Sequence, residues 1–360
     1  SDQARALQKT LQSTSTEPGS DGYLRRSYLT IQLGSLAAYA DSKAGNGFES
    51  FDAEALALYD TQPPVRELSG FDGILAQLDE LLPGEEPLHE RVSQFTRQYE
   101  IPPDRLDAVF KNAIEACRER TRPHIELPAN EDFVLEYVTD VPWGAYNWYQ
   151  GNAHSLIQVN TSFPLFIDRA IDLGCHEGYP GHHVYNALLE EEFVNRRGWM
   201  EFSVYALFSP QSLIAEGTAN YGVDLAFPGD EKLEYEKSHL YPLAGLDPST
   251  AGQYRQFREI SAELTYARNE VARLFAVGEV NREEAIGLLQ KYGPLSRERA
   301  AQSMRFIEVN GAYIINYNWG KDLVKNYIEG AAATTDERWA RFADLLASPR
   351  LPSTLEISTE

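Results

Sequence analysis

The stretch FPLFIDRAIDLGCHEGYPGHH, residues 163–183, decides how this chain of 360 residues is interpreted. It opens with apolar residues at helical spacing, which predicts a helix that begins at Phe163-Pro164 and buries one face. It ends with three histidines within eight residues: His176, His182 and His183. A solvated histidine cluster would not require so apolar an approach, so the stretch predicts a buried site built from histidine.

The residue types around His176 fit a catalytic zinc site. Such a site needs three nitrogen or carboxylate ligands, an open position for water and a carboxylate that acts as general base. His176 followed by Glu177 supplies a ligand and a base, because adjacent helical residues point to different sides. Glu216, on a helix predicted over residues 210–225, is the proposed third ligand. We therefore expect a Zn²⁺ cofactor held by His176, His182 and Glu216.

The choice of the second histidine depends on the break at Pro180-Gly181. On an unbroken helix a histidine two turns after His176 lies ~10 Å away along the axis, too far to share one ion. A bulge of two residues at the break brings His182 to the metal and turns His183 toward a ligand or the substrate. A bulge of three residues exchanges the two roles, and we favour His182.

Small and polar residues accompany the predicted ligands. Asn220 follows Glu216 by one turn on the same face, where it would hydrogen-bond a ligating imidazole; a solvated helix residue is the alternative. Gly217 and Ala219 are small enough to let two helices approach closely. Cys175 is expected to be a small buried residue and not a ligand.

Two segments together resemble a known family. They are His176-Glu177-x-x-Pro180-Gly181-His182-His183 and Glu216-Gly217-x-Ala219-x-Tyr221, and they resemble the bacterial domain-of-unknown-function family numbered 885, which is grouped with the gluzincin-type metallopeptidases. Tyr317-x-x-Gly320 and Arg305-Phe306 are similar to the closing motif of that family, and the resemblance covers roughly residues 125–330. The chain departs from the pattern at Gly311-Ala312-Tyr313, where the family tends to have Pro-Gly-Gln before the late tyrosine.

The resemblance implies a mainly α fold of gluzincin-like architecture with a small antiparallel β-sheet beside the active-site cleft. The implied reaction is hydrolysis of a peptide or amide bond, with Glu177 moving the proton and Tyr317 stabilising the oxyanion. His183, Asn220 and Tyr221 would contact ligands or substrate, and Arg305 would receive a substrate carboxylate. For Tyr317 a core aromatic, and for Arg305 a structural arginine, are the alternatives.

Helical periodicity dominates the rest of the chain. It predicts helices over residues 24–40, 53–59, 71–82, 88–99, 103–118, 249–277, 282–291, 296–309, 321–329 and 336–346. Strand formers over residues 133–138, 146–149 and 155–160 predict two or three antiparallel strands. As in gluzincin-like enzymes, residues 155–160 are expected to line the cleft and hold the substrate backbone by β-augmentation.

We distinguish a helical N-terminal layer (1–124), which is either part of the same domain or a subdomain, from a zinc-site catalytic region (125–348) and a tail (349–360). The formal charge of −22 argues against a nucleic-acid partner and against an anionic membrane surface. No apolar run approaches the ~20 residues of a spanning helix, so we expect no membrane insertion. Two cysteines give no disulfide framework, although one pair can form. A cytoplasmic location is favoured, and a secreted or periplasmic one stays open if the N-terminus is a processed one.

Three classes of function are compatible with a His/Glu metal site. The first is a zinc peptidase or amidase acting on a peptide or small amide. The second is a metal-dependent lyase or hydrolase for a small metabolite, which the missing family residues favour. The third, a binding protein that has lost the reaction, is disfavoured because a pure metal-binding module needs no base such as Glu177. A long groove beside a strand edge favours peptides, and a closed pocket favours a metabolite.

Overall fold

The computed structural model describes residues 1–141 and 143–355, and the predicted mainly helical class is confirmed. Its helices are α1 (Asp2–Ser13), α2 (Asp21–Asp41), α3 (Phe51–Tyr59), α4 (Asp72–Leu81), α5 (Leu88–Arg97), α6 (Leu106–Thr121), α7 (Asp168–Leu173), α8 (His182–Leu189), α9 (Pro210–Ala226), α10 (Glu231–Tyr235), α11 (Tyr241–Ala244), α12 (Ala251–Ala262), α13 (Ala267–Ala276), α14 (Arg282–Tyr292), α15 (Arg297–Asn310), α16 (Ile315–Glu329) and α17 (Thr335–Leu346). Within the described residues, no helix is both long enough and apolar enough to cross a membrane.

Short π-helical turns, which are wider than an α-helix, and 3-10 turns, which are tighter, join some of these helices. π-helical turns occupy Ser42–Asn46, Gly174–Gly178, Glu190–Arg196 and Glu236–Leu240. Turns of 3-10 helix occupy Leu68–Phe71, Met200–Ser203, Pro248–Thr250, Gly311–Ile314 and Pro352–Thr354. A single π-helical turn within a helix is frequently found at a functional site, so the turn at Gly174–Gly178 is of particular interest.

Side-chain caps explain why several helices begin where the sequence predicts. Asn281 accepts hydrogen bonds from the first turn of α14, and the Asn281 main-chain N–H donates to the Glu284 carboxylate. Thr334 and Glu337 form the same capping box before α17. Because each box satisfies main-chain N–H groups that the helix leaves unpaired, it fixes the first turn. Both predicted starts lie within one residue of the observed ones.

The helix predicted to begin at Phe163-Pro164 is wrong. The segment before α7 is extended, and Phe166 forms an antiparallel bridge with Glu100. The Ile101 N–H donates to the Leu165 carbonyl at 2.8 Å, and the Ile167 N–H donates to the Tyr99 carbonyl at 2.9 Å. Pairing with the chain after α5 therefore satisfies the backbone of this segment, and the helix begins only at Asp168.

Other helices also differ from the sequence prediction. The helix predicted over residues 249–277 is two helices, α12 and α13. Between them, the Thr265 hydroxyl donates to the Ala262 carbonyl and competes with the main-chain hydrogen bonds of a helix. Helix α16 begins at Ile315, six residues before the predicted start. Helix α1 was not predicted; it lies along α2, where the Gln8 amide donates to the Thr30 carbonyl.

The strands form a mixed sheet, so the prediction of a wholly antiparallel sheet is wrong. Its strands are β1 (Asp132–Val138), β2 (Ala145–Gly151) and β3 (His154–Asn160), in the order β1-β3-β2. The antiparallel pairing of β2 with β3 is confirmed, whereas β1 pairs with β3 in parallel. Successive strands run in opposite directions along the sequence as expected, so β1 and β3 run in the same direction. Because β1 lies next to β3 and not next to β2, this pair is parallel. Ile157 and Val159 are buried, as suits a central strand.

The central place of β3 excludes one predicted role. Residues 155–160 have a hydrogen-bonded neighbour on each side. A strand whose two edges are both paired has no backbone groups left for an added peptide. The prediction that this segment holds the substrate by β-augmentation is therefore wrong, although the segment is extended as predicted.

Backbone contacts divide the chain into two compact units. The first unit contains Ser1–Pro64, Tyr185–Tyr221 and residues 312–355 of the described chain. Within it, a Cβ atom added to Gly217 of α9 would lie 2.4 Å from the Gly320 carbonyl of α16, so the two helices meet backbone to backbone. Gly217, the residue after Glu216, thus serves contact with α16.

The second unit contains Val65–Val184 and Gly222–Gly311, so the predicted boundary at residue 124 lies inside it. Helix α6 supplies much of its core, since Val109, Phe110 and Ala113 are buried. A Cβ atom added to Gly174 would lie 3.2 Å from the Ile114 main-chain nitrogen. This close approach packs α6 against the π-helical turn that carries His176 and Glu177.

Candidate metal centre

A π-helical turn and a tight bend replace regular helix around the histidines. Helix α7 continues into the π-helical turn, after which Tyr179 is extended and α8 begins at His182. The Gly181 N–H donates to the Cys175 carbonyl at 3.0 Å and closes the bend. A Cβ atom at position 181 would lie 1.9 Å from the His176 carbonyl oxygen, so only glycine fits here. The bend predicted at Pro180-Gly181 brings the second histidine back toward the first.

The rings of His176 and His182 converge. Their Nε2 atoms lie 3.1 Å apart, and the ring planes are perpendicular with centroids 4.6 Å apart. Two nitrogens bound to one tetrahedral zinc at ~2.1 Å would be separated by about 3.4 Å. The spacing of the two nitrogens is therefore close to that of a shared ion. His182, and not His183, is the histidine that meets His176.

Glu216 completes a group of three potential ligands. One ligand atom from each of His176, His182 and Glu216 lies within 4.8 Å of the other two. The Glu216 carboxylate is buried, and its Oε1 accepts a hydrogen bond from the Tyr313 hydroxyl at 2.6 Å. Two imidazoles and one carboxylate are the donor set of a catalytic zinc site with an open fourth position, so these residues fit the metal.

Glu177 lies beside this group without belonging to it. Its Oε1 is 4.0 Å from His176 Nε2, and its side chain is buried. The Glu177 carbonyl accepts a hydrogen bond from the Asn147 amide of β2 at 2.7 Å. The sheet thereby fixes the main chain from which the carboxylate projects.

His183 points away from His176 into a buried polar network. Its Nδ1 lies 2.8 Å from the Ser155 Oγ of β3, and its Nε2 lies 3.3 Å from Oε2 of Glu131. Glu131 also accepts hydrogen bonds from Arg118 Nε of α6, at 2.9 Å, and from the Tyr179 hydroxyl. Burial by itself raises the pKa of the Glu131 carboxyl, but hydrogen bonds from His183, Tyr179 and Arg118 outweigh it and lower that pKa to about 2.

Sequence reasoning missed Glu131 and Tyr313, which contact His183 and Glu216. Glu131 precedes β1 by one residue, in a polar loop that carries no local signal. Tyr313 lies four residues before the predicted Tyr317. That spacing is one helical turn, and it was the one signal available.

The other predicted residues on α9 and α16 lie in the first unit. The Asn220 amide donates to the Tyr317 carbonyl at 3.2 Å. The Tyr221 hydroxyl donates to Glu329 at 3.3 Å, and its ring is buried. The Tyr317 ring is half-buried, in edge contact with Tyr313 at 5.7 Å between centroids.

The predicted Arg305 and two further histidines, His154 and His239, are exposed in the second unit. Arg305 lies on the exposed side of α15. His154, at the start of β3, has Nδ1 2.7 Å from the Asn152 carbonyl. The ring of His239 stacks on Tyr235. None of the three belongs to the group formed by His176, His182 and Glu216.

Cys175, the residue before His176, forms a disulfide bond with Cys117 of α6. Both sulfur-bearing side chains are fully buried. Cys175 is buried as expected, and its sulfur is committed to the bond. The disulfide ties the turn that carries His176 covalently to the core helix.

Comparison with known proteins identifies the fold only. No family model matches the chain, and no curated protein matches it. The chain is similar in structure to a solved protein described as "the putative lipoprotein from Colwellia psychrerythraea", with a TM-score of 0.59 and 14% sequence identity. The similarity covers 98% of this chain and 64% of that one, so the chain spans less than two thirds of the other protein's length. At this identity the similarity concerns the fold alone.

Proposed function

We propose that this chain is a zinc-dependent hydrolase of peptide or amide bonds, with His176, His182 and Glu216 as the zinc ligands. The observation that carries the proposal is the convergence of one ligand atom from each of these three residues, with the two Nε2 atoms 3.1 Å apart. The sequence resemblance to the gluzincin-type family 885 supports the same assignment.

Glu177 is the proposed general base. Zinc, when bound, would polarise the substrate carbonyl and make water a stronger nucleophile. The buried Glu177 carboxylate, 4.0 Å from the nearest nitrogen of His176, is placed to take a proton from the attacking water and return it to the leaving nitrogen. The hydrogen bond from Asn147 to the Glu177 carbonyl holds this carboxylate in position.

Two tyrosines of the first unit have separate proposed roles. Tyr313 hydrogen-bonds Glu216 and orients that ligand. Tyr317 is the proposed donor to the developing oxyanion, and its half-buried ring rests against Tyr313. Replacing either phenol by phenylalanine separates them: the Tyr313 variant should weaken zinc binding, and the Tyr317 variant should slow turnover alone.

A peptide backbone is the favoured substrate because of β2. In the described sheet β2 has a neighbouring strand on one side only, and its Asn147 contacts Glu177. An extended peptide that ran along the outer side of β2 would pass the proposed base. A small metabolite, processed by a metal-dependent lyase or hydrolase at the same residues, is the alternative function.

The disulfide bears on where the protein works. Stable disulfides form in oxidising compartments such as the periplasm or the cell exterior. The bond between Cys117 and Cys175 therefore favours an extracytoplasmic location over the cytoplasmic one first preferred.

A peptide-library cleavage assay tests the function. The zinc-loaded chain is incubated with the library, then stripped with a chelator, and then reloaded. We expect cleavage that disappears with the metal and returns with it, and that is lost in Glu177→Gln. His154→Ala and His239→Ala, which change exposed histidines outside the ligand group, are the matched controls and should cleave normally. A zinc-loaded chain that leaves every peptide intact would favour the metabolite alternative.

A further inference from the structure

His183 stands next to the proposed ligand His182 in the first turn of α8, and its own ring is fixed at both nitrogens. Ser155 Oγ lies 2.8 Å from Nδ1, and Glu131 Oε2 lies 3.3 Å from Nε2. The His183 ring is also in edge contact with the Tyr179 ring, with the two centroids 5.0 Å apart. Consecutive helical residues project about 100° apart. Fixing the His183 ring therefore fixes the main chain from which the His182 ring projects.

Glu131 is the residue at which the surrounding elements meet. Its Oε1 faces Arg118 of α6, and its Oε2 faces both His183 of α8 and Tyr179 of the bend. The side chain is almost fully enclosed, with 7% of the residue exposed. A buried carboxylate with all of these donors holds them in one arrangement, because any displacement leaves a buried charge poorly paired.

The hydrogen-bonded side chains of Ser155, His183 and Glu131 have the residue types of a nucleophilic triad. The burial of these side chains excludes that role. The exposed fractions of the three residues are 2%, 0% and 7%. A substrate carbonyl therefore has no access to the buried serine hydroxyl. The three residues act on the site through the main chain and not by touching the reacting atoms.

We propose that Glu131 is a positioning residue for the zinc ligand His182, acting through His183. The proposal rests on the proposed function only in taking His182 as a ligand. Loss of the carboxylate frees the His183 ring, lets the first turn of α8 rotate and moves His182 away from the 3.1 Å approach to His176. Groups that orient a metal ligand are typically worth about 10–100-fold in metal affinity.

The test measures zinc affinity of the full chain by competition with a chromophoric chelator, in wild type and Glu131→Gln. We expect the variant to bind zinc about 10–100-fold more weakly. The matched control is Glu115→Gln: Glu115 is the other carboxylate beside Arg118, at 3.6 Å, and it is half-exposed on the same helix. The control should keep wild-type affinity. Replacing zinc by Co²⁺ adds a second readout, because a displaced ligand changes the visible absorption spectrum, which a loss of stability alone does not.

Ser155→Ala keeps the proposal testable if Glu131→Gln does not fold. It removes the other contact to the His183 ring with little change of volume, and it should also weaken zinc binding and alter the Co²⁺ spectrum. Wild-type affinity and spectrum in a folded Glu131→Gln or Ser155→Ala chain would overturn the proposal, as would an equal loss in Glu115→Gln. A wild-type chain that binds no zinc would instead refute the proposed function.

Discussion

Removing the disulfide is expected to destabilise the chain by an amount that follows from its position. Cys117 and Cys175 are separated by 58 residues. In the chain-entropy model a loop of this length loses about 14 cal/mol/K on closure, which corresponds to about 4 kcal/mol at 25 °C. The perturbation is the double variant Cys117→Ala/Cys175→Ala. Alanine is preferred to serine because both sites are fully buried and a new hydroxyl there would lack a partner.

The assay is equilibrium unfolding in urea, followed by circular dichroism and tryptophan fluorescence, with a chelator present so that metal binding does not add to stability. Coincident transitions from the two probes are needed before a free energy is assigned. Wild type unfolded under reducing conditions is the control, since it loses the cross-link while keeping both sulfur atoms. We expect the reduced wild type and the double variant to lie about 4 kcal/mol below the oxidised wild type.

The two species also separate the contributions to that loss. If the double variant is less stable than the reduced wild type, the difference measures packing of the sulfurs in the core. If the free energy of unfolding of the double variant lies within about 1 kcal/mol of that of the oxidised wild type, the cross-link does not restrict the unfolded chain as we expect.

Three further predictions concern the site. Glu177→Gln should retain zinc and lose about 10²–10⁴-fold in turnover, measured by elemental analysis and hydrolysis of a cleaved peptide; wild-type turnover would remove the base role. Gly181→Ala should abolish zinc binding and lower the melting temperature, because its Cβ would lie 1.9 Å from the His176 carbonyl, whereas Gly178→Ala, whose nearest neighbour would be 3.5 Å away, is the tolerated control. Equal behaviour of the two glycine variants would contradict this geometry. The pKa of Glu131 is lowered from 4.5 to about 2 in the folded chain, so its ionised form stabilises the fold above pH 4.5, and this contribution is lost as the pH falls toward 2. The stability difference between metal-free wild type and Glu131→Gln, measured by urea unfolding, should be on the order of 3 kcal/mol at neutral pH. It should shrink as the pH falls from 4.5 toward 2, and a difference independent of pH would contradict this role of the Glu131 carboxylate.

Local features of the fold could be predicted because their causes are local. The capping residues Asn281 and Thr334 mark the starts of α14 and α17 in the sequence itself. The order of the strands could not be predicted, because the choice of β3 as the neighbour of β1 depends on which strand the core covers. The extended segment before α7 was missed for the same reason: its partner, Glu100, is 66 residues away from Phe166.

The candidate site likewise contains residues that the sequence indicates and residues that only folding brings to it. Residue type and the Pro-Gly break were enough to propose His176, His182 and Glu216 and to favour His182 over His183, with the exchange of the two histidines left open. Glu131 and Tyr313 were missed because contact with the site comes only through folding. The disulfide was left open because a pair of cysteines in a sequence does not reveal whether their Cα atoms lie close enough to be bridged.

Zinc content after reconstitution tests whether His176, His182 and Glu216 bind the metal. The full chain is stripped with a chelator, reloaded with zinc, dialysed and measured by elemental analysis, alongside His176→Ala, Glu216→Ala and the exposed-histidine control His239→Ala. We expect one zinc per chain in wild type and His239→Ala, and almost none in the other two variants. Absence of zinc from the reloaded wild type, or full retention in His176→Ala or Glu216→Ala, would contradict it.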